Sequence, residues 1–248
     1  MPEYAGFNVS LTSQYDAATL PEDHVRVLTT PALRSLHLDR LACESPGLSQ
    51  QHPDKTFSDL HLQTTSSTIV ETCIPIFHSS QFWICYECPP PGHDDEVNVK
   101  YYYFKFFASG KCILSWGVGQ QDGWGGKTMF ALLDGGRDFE GKRIVEKRGF
   151  FFPGADGHHS DSFEIRIFRA KARRTEQARY QGPGAVATVN GALDLTNIGK
   201  VQRSERQRHY SYALLDATDE PFVTFRYWIK NDERESVHAL WSDREADK

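Results

Sequence analysis

The sequence predicts a mainly β protein: an antiparallel β-sandwich, jelly-roll-like, with one short helix at its C-terminal end. Three observations carry this expectation. Aromatic residues make up 12% of the 248 residues, with 16 Phe, 10 Tyr and 5 Trp against 2 Met, and large rings favour strands and packed layers. Apolar and polar residues alternate with a period of two in one segment after another. Turn signals separate those segments by about 8–15 residues, the spacing of sandwiches and barrels. A chain of this length fits one large β domain and buries enough surface to fold without staples, so residues 1–248 are read as a single domain.

The elements follow in order. Residues 1–12 read as a strand, because Phe7, Val9 and Leu11 alternate with Asn8 and Ser10. Residues 13–66 are irregular and loop-rich, broken by Pro21, Pro31, Pro46 and Pro53, with a short strand at His24–Leu28. Thr68–Phe77 and Gln81–Cys88 are strands around the polar turn His78-Ser79-Ser80, and Pro89-Pro90-Pro91 ends the second because proline cannot donate to a ladder. Val97–Ala108 is a central strand with apolar or aromatic residues on both faces. Ser109-Gly110 then turns it into a strand over Lys111–Trp116, since a two-residue hairpin needs positive φ. Gly117–Gly126 reads as a glycine-rich loop, Thr128–Leu133 as a strand, Asp134-Gly135-Gly136 as a turn and Arg143–Phe152 as a strand. Phe163–Phe168 alternates cleanly, Ala185–Leu195 carries an Asn190-Gly191 hairpin signal, and Tyr210–Leu215 and Phe222–Ile229 complete the strands. A helix over 231–241 follows, capped by Asp232 with Glu235 three residues on, its apolar stripe formed by Val237, Leu240 and Trp241.

Composition bounds the setting. No apolar run approaches the ~18 residues of a membrane span, and Met1-Pro2-Glu3-Tyr4-Ala5-Gly6 has neither the basic nor the apolar region of a secretory signal. Five scattered cysteines suit a reducing compartment better than a disulfide framework. The expectation is an intracellular protein, cytoplasmic or nuclear, neither secreted nor bound to a membrane.

The motifs that suggest chemistry each meet a simpler alternative. Cys85-x-x-Cys88, with His93 and Cys112, has zinc-ligand composition. On a strand, however, positions three apart face opposite ways, so buried thiols are the better reading and no metal or other cofactor is expected. Gly123-Trp124-Gly125-Gly126-Lys127-Thr128 ends like a phosphate-binding loop, but position 121 is Gln and the following segment is too short for the required helix. It reads instead as a loop whose Trp124 and Lys127 could rim a ligand site. His158-His159 with Asp156 and Asp161 reads as a solvated loop. No carboxylate pair suits glycoside hydrolysis, no Gly-x-Ser-x-Gly elbow is present, and no catalytic residue is assigned.

Charge is unevenly distributed. From Arg166 to Arg208 there are ten basic residues and three acidic ones, a net +7 that leaves −12 for the rest of a chain whose total is −5. Such a segment suits phosphates or an acidic partner, or it protects an edge strand from aggregation. Arg169, Lys171, Arg173, Arg174, Arg179, Arg203, Arg206 and Arg208 are the candidate partner-binding residues.

Several segments together resemble an uncharacterised family of filamentous-fungal proteins of unknown function. They are Tyr102–Phe107, Ser115-Trp116-Gly117, Gly126–Phe130, Arg143–Arg148, Phe163–Ala170, Tyr212–Asp216 and Pro221–Tyr227, with the opening Pro2–Phe7. The similarity covers most of the chain. It implies a fungal source and a β-rich domain, and it brings no activity, cofactor or catalytic residue with it. The leading functional expectation is a non-catalytic binding or scaffold protein that engages a macromolecular partner, protein rather than nucleic acid, through the basic segment. The alternative is a small-molecule-binding protein or enzyme with an aromatic cavity in or at the rim of the sandwich; nucleic-acid binding through 166–208 is the third.

Overall fold

A computed structural model describes residues 2–15, 17–31, 66–75, 77–92, 98–154, 162–177, 180, 193–202 and 209–230, and among these described residues there are fourteen strands. In chain order they are β1 (Glu3–Tyr4), β2 (Phe7–Ser13), β3 (Asp23–Pro31), β4 (Ser66–Pro75), β5 (Gln81–Glu87), β6 (Tyr101–Ala108) and β7 (Lys111–Gly119). After a 3-10 turn at Gln120–Asp122 come β8 (Gly125–Thr128), β9 (Phe130–Arg137), β10 (Arg143–Phe151), β11 (Ser162–Glu176), β12 (Asp194–Lys200), β13 (His209–Leu214) and β14 (Val223–Lys230). They form two sheets. The first runs β1-β2-β5-β10-β12, with β8 against β5 and β9 against β10; the second runs β3-β4-β14-β11-β6-β7, with β13 against β11. The protein is a sandwich of mainly β structure. Its pairs are antiparallel except β4 with β14, which run parallel, so the second sheet is mixed.

The period-two pattern becomes a shared interior. On β6, Tyr102, Phe104, Phe106 and Ala108 are buried while the alternate residues are half-buried. Phe163 of β11 packs on rings of both sheets, stacked on Phe82 at 5.8 Å and on Tyr227 at 5.2 Å, and edge-on to Phe106 at 5.5 Å. The buried Tyr227 hydroxyl donates to the Val9 carbonyl at 2.8 Å, a hydrogen bond from β14 in one sheet to β2 in the other. That bond offsets the cost of burying a phenol.

The other face of the second sheet carries an internally paired row of charges. Arg226 donates to Glu71 at 2.6 Å and to Glu164 at 2.7 and 2.9 Å, and Glu164 also accepts from Arg166 at 2.7 and 2.9 Å. Register sets this row, because Glu71, Arg226 and Glu164 lie opposite one another on β4, β14 and β11. Cations lie on the outward rings of β6, with Arg166 4.2 Å from the Phe107 ring centroid and Lys105 5.9 Å from that of Tyr103.

Some expectations need revision. Ser109-Gly110 makes the expected hairpin, with φ of 49° and 73°. The stretch Gly117–Gly126 is not one loop: β7 runs to Gly119 and β8 begins at Gly125. Asp134-Gly135-Gly136 is not the turn, because Asp134 is held across the ladder by Arg143 at 2.6 Å and β9 continues to Arg137. The reversal falls at Asp138, whose side chain accepts from the amides of Glu140 and Lys142. The short strand expected at His24–Leu28 is present and runs longer, over Asp23–Pro31. The helix over 231–241, the Asn190-Gly191 turn and the His158-His159 loop lie outside the described residues.

One topological feature positions the site. β5 and β10 pair only through Phe82–Phe150 and Gln81–Phe151. Beyond that point β5 takes β8 as its neighbour and β10 takes β9, so the first sheet forks at Met129. The fork carries β9 alongside β7, the edge strand of the second sheet.

Candidate functional site

A cleft of about 550 Å³ opens where β7 meets β9, in the size range of small-molecule sites. Edge strand β7 supplies its wall from Cys112 to Gly117, β6 supplies Tyr103, and β9 supplies Leu132 and Leu133. The 3-10 turn adds Gln121 and Asp122; the remaining wall is Arg173, Tyr180, His209, Tyr210 and Tyr212.

The length of β11 brings the last group into place. Its first half is sandwiched between β6 and β14. The register shifts between Ala170 and Ala172, and beyond that irregularity β11 carries β13 as a two-stranded ribbon. Arg173 on the ribbon lies between two rings, 4.9 Å from the Tyr101 centroid and 4.2 Å from that of Tyr210. Tyr212 opposite it stacks on Tyr103 at 4.8 Å and meets Tyr101 edge-on at 6.0 Å. The end of the Tyr212 ring rests on Gly117: a Cβ there would sit 2.3 Å from the ring and its hydroxyl. A side chain at this point would have to displace the end of the Tyr212 ring, a matter of close approach and not of backbone angle.

Burial sets the ionisation of the cleft. It pushes Tyr212 and Tyr103 up, with the Arg173 guanidinium opposing the first shift and a bond to Ser115 the second. It also raises the Cys112 thiol, which lessens its thiolate character. His209 is pushed below its ordinary value by burial and so is neutral at pH 7, with Nε2 3.3 Å from the Tyr180 hydroxyl. Arg143 lies 5.4 Å from the Tyr180 ring, and its charge is met by Asp134 at 2.6 Å. Asp122 accepts from the Gly119 amide at 3.0 Å.

The expected site residues fall in three places. Trp124 and Lys127 line a more open groove of about 630 Å³ on the first sheet, together with Asn8, Cys85 and Cys88. Trp124 is in the left-handed region, at φ 61°, and Lys127 lies 4.5 Å from the Trp83 ring. No helix follows the glycine run, since Gly125–Thr128 is a strand, so the phosphate-loop geometry is absent there. Cys85 contacts Thr12 at 3.3 Å, whereas Cys88 is buried in the core and pushed up to about 12 by that burial. Cys112 belongs to the other sheet, and His93 lies outside the described residues. Among the described residues no group of three or more His, Cys, Asp or Glu side chains is placed to hold a metal.

The basic segment divides. Arg169 is held by Asp216 at 2.5 Å and lies over Phe222, and Arg173 is enclosed by rings. Lys171 and Arg174 are exposed. Arg179, Arg203, Arg206 and Arg208 lie outside the described residues. No helix among the described residues is long and apolar enough to cross a membrane.

Tyr103, Trp116, Gln121, Asp122, His209 and Tyr212 were not marked by the sequence reading. The signal available was the pair of i, i+2 tyrosines, Tyr101 with Tyr103 and Tyr210 with Tyr212, each pair on one face of its strand. No protein-family model matches the chain, and comparison with curated proteins and with solved structures gave no match.

Proposed function

We propose that this protein is a non-catalytic, intracellular binding protein that takes a small ligand into the cleft beside β7. The observation that carries the reading is convergence. Rings from β6, β7, β13 and Tyr180 line one concavity together with Arg173, Gln121, Asp122 and His209. A mainly aromatic wall with a few placed polar groups is the usual make-up of a small-molecule site. The two sheets, by contrast, close over a core of buried side chains. Nothing in the resemblance to fungal proteins assigns a role to any of these residues.

The test is a chemically broad fragment screen by amide-shift mapping on the whole chain. Hits should move signals from Cys112 to Asp122 and be lost in Tyr212→Ala. Hits that map instead to the groove around Trp124 and Lys127 would overturn the reading. A macromolecular partner is the second reading, favoured by exposed Lys171 and Arg174 at the outer end of β11. If that surface works, Lys171→Glu/Arg174→Glu should release whatever co-purifies. A nucleic acid there would show binding that weakens steeply with salt.

A further inference from the structure

We propose that the cleft beside β7 recognises a neutral, polyhydroxylated ring, a saccharide, in preference to a charged or an apolar ligand; this rests on the ligand reading above. Charge balance is the first argument. Among the described lining residues Arg173 and Asp122 carry opposite charges. Burial holds His209 neutral, and Arg143 beyond Tyr180 is neutralised by Asp134. An anion or a cation entering the cleft would therefore lose hydration without meeting a net counter-charge among these described residues.

Hydrogen-bonding capacity is the second argument. An apolar ligand would strip water from Arg173, Gln121, Asp122 and Ser115 and return no hydrogen bond, which is costly for each group. The lining also contains four tyrosine hydroxyls, those of Tyr103, Tyr180, Tyr210 and Tyr212, and the Ser115 hydroxyl. Each can both donate and accept, as can the hydroxyls of a sugar; Asp122 accepts only and Arg173 donates only. A ring that is apolar on its C–H face and ringed by hydroxyls at its edge meets both parts of this surface, the aromatic walls and the polar groups between them.

The experiment titrates the isotope-labelled whole chain with five probes to about 10 mM, a range that detects weak binding: maltose, cellobiose, adenosine monophosphate, choline and indole. The expected result is a shift of the amides from Ser115 to Asp122 with at least one disaccharide. Tyr212→Phe keeps the ring and Gln121→Ala alters an exposed side chain, so both variants should fold. Each should weaken the response by about fivefold or more. Stronger shifts in the cleft from the nucleotide, choline or indole overturn the saccharide assignment while leaving the ligand reading in place. A disaccharide response that neither variant weakens also overturns the assignment. No shift in the cleft from any of the five overturns both.

Discussion

Arg226→Met removes the centre of the charge row on the second sheet while keeping an unbranched side chain to cover the strand. Glu71 is 0% exposed and receives Arg226 at 2.6 Å; Glu164 receives two further bonds from the same guanidinium at 2.7 and 2.9 Å. Taking one partner from a buried pair costs about 3–5 kcal/mol, because the remaining charge stays in the interior. Glu164 keeps its bonds from Arg166, and Arg226 is itself 23% exposed, so the lower end, about 3 kcal/mol, is expected. For a chain of this size that is roughly a 6–12 °C fall in Tm. Urea unfolding at pH 7 with linear extrapolation reads the change directly. Glu71→Gln in the Arg226→Met background should cost less than the sum of the single changes, since both remove the same ion pair. The pH response has a definite sign. Burial pushes Glu164 up, but the bonds and charges of Arg166 and Arg226 outweigh it and hold its carboxyl below the ordinary value. That stabilisation is present above the unfolded-state value and is lost as pH falls through the folded one, so the difference between wild type and Arg226→Met should shrink in acid. A loss below about 1 kcal/mol at pH 7 would refute the claim that Glu71 depends on Arg226.

Three further outcomes are expected. Gly117→Ala should stay within about 1 kcal/mol of wild type, because strand propensity gained offsets ring stacking lost. Its near-ultraviolet circular dichroism should nevertheless change as Tyr212 is pushed aside; an unaltered spectrum would mean the ring does not rest there. Tyr227→Phe should cost about 1–2 kcal/mol by depriving the Val9 carbonyl of its buried donor, measured by the same urea titration; a neutral result would contradict the bond between the sheets. Burial pushes Glu22 up to about 7, so the fold holds its proton where the unfolded chain has released it, and stability from this group falls as pH rises from about 5 to 8. Glu22→Gln should remove that fall and gain about 1–2 kcal/mol at pH 8, less than the full shift because the side chain is partly solvated; parallel pH profiles of variant and wild type would refute it.

Much of the strand content was legible because a strand advertises itself locally. Phe163, Ile165 and Ile167 alternate with charges and form the buried face of β11, and Ser109-Gly110 marks a hairpin by backbone chemistry alone. Turn placement was less legible where glycine was the cue. Gly135-Gly136 looks like a turn in isolation, but the cross-strand hold of Arg143 on Asp134 carries β9 past it. The basic segment was read as a surface because charge count says nothing of neighbours; Asp216 and two tyrosine rings absorb Arg169 and Arg173.

By itself, the order of residues determined the alternation, the aromatic interior and the absence of a phosphate-loop helix, since each depends on contacts a few residues apart. The cleft depended on pairings it could not specify. Tyr212 reaches Gly117 only because β11 outruns its neighbours and carries β13 with it. Leu132 and Leu133 line the cleft only because β5 and β10 part after two residue pairs and send β9 beside β7. Those are choices of strand partner between distant segments, decided when two sheets pack, and many partnerships satisfy the same local pattern.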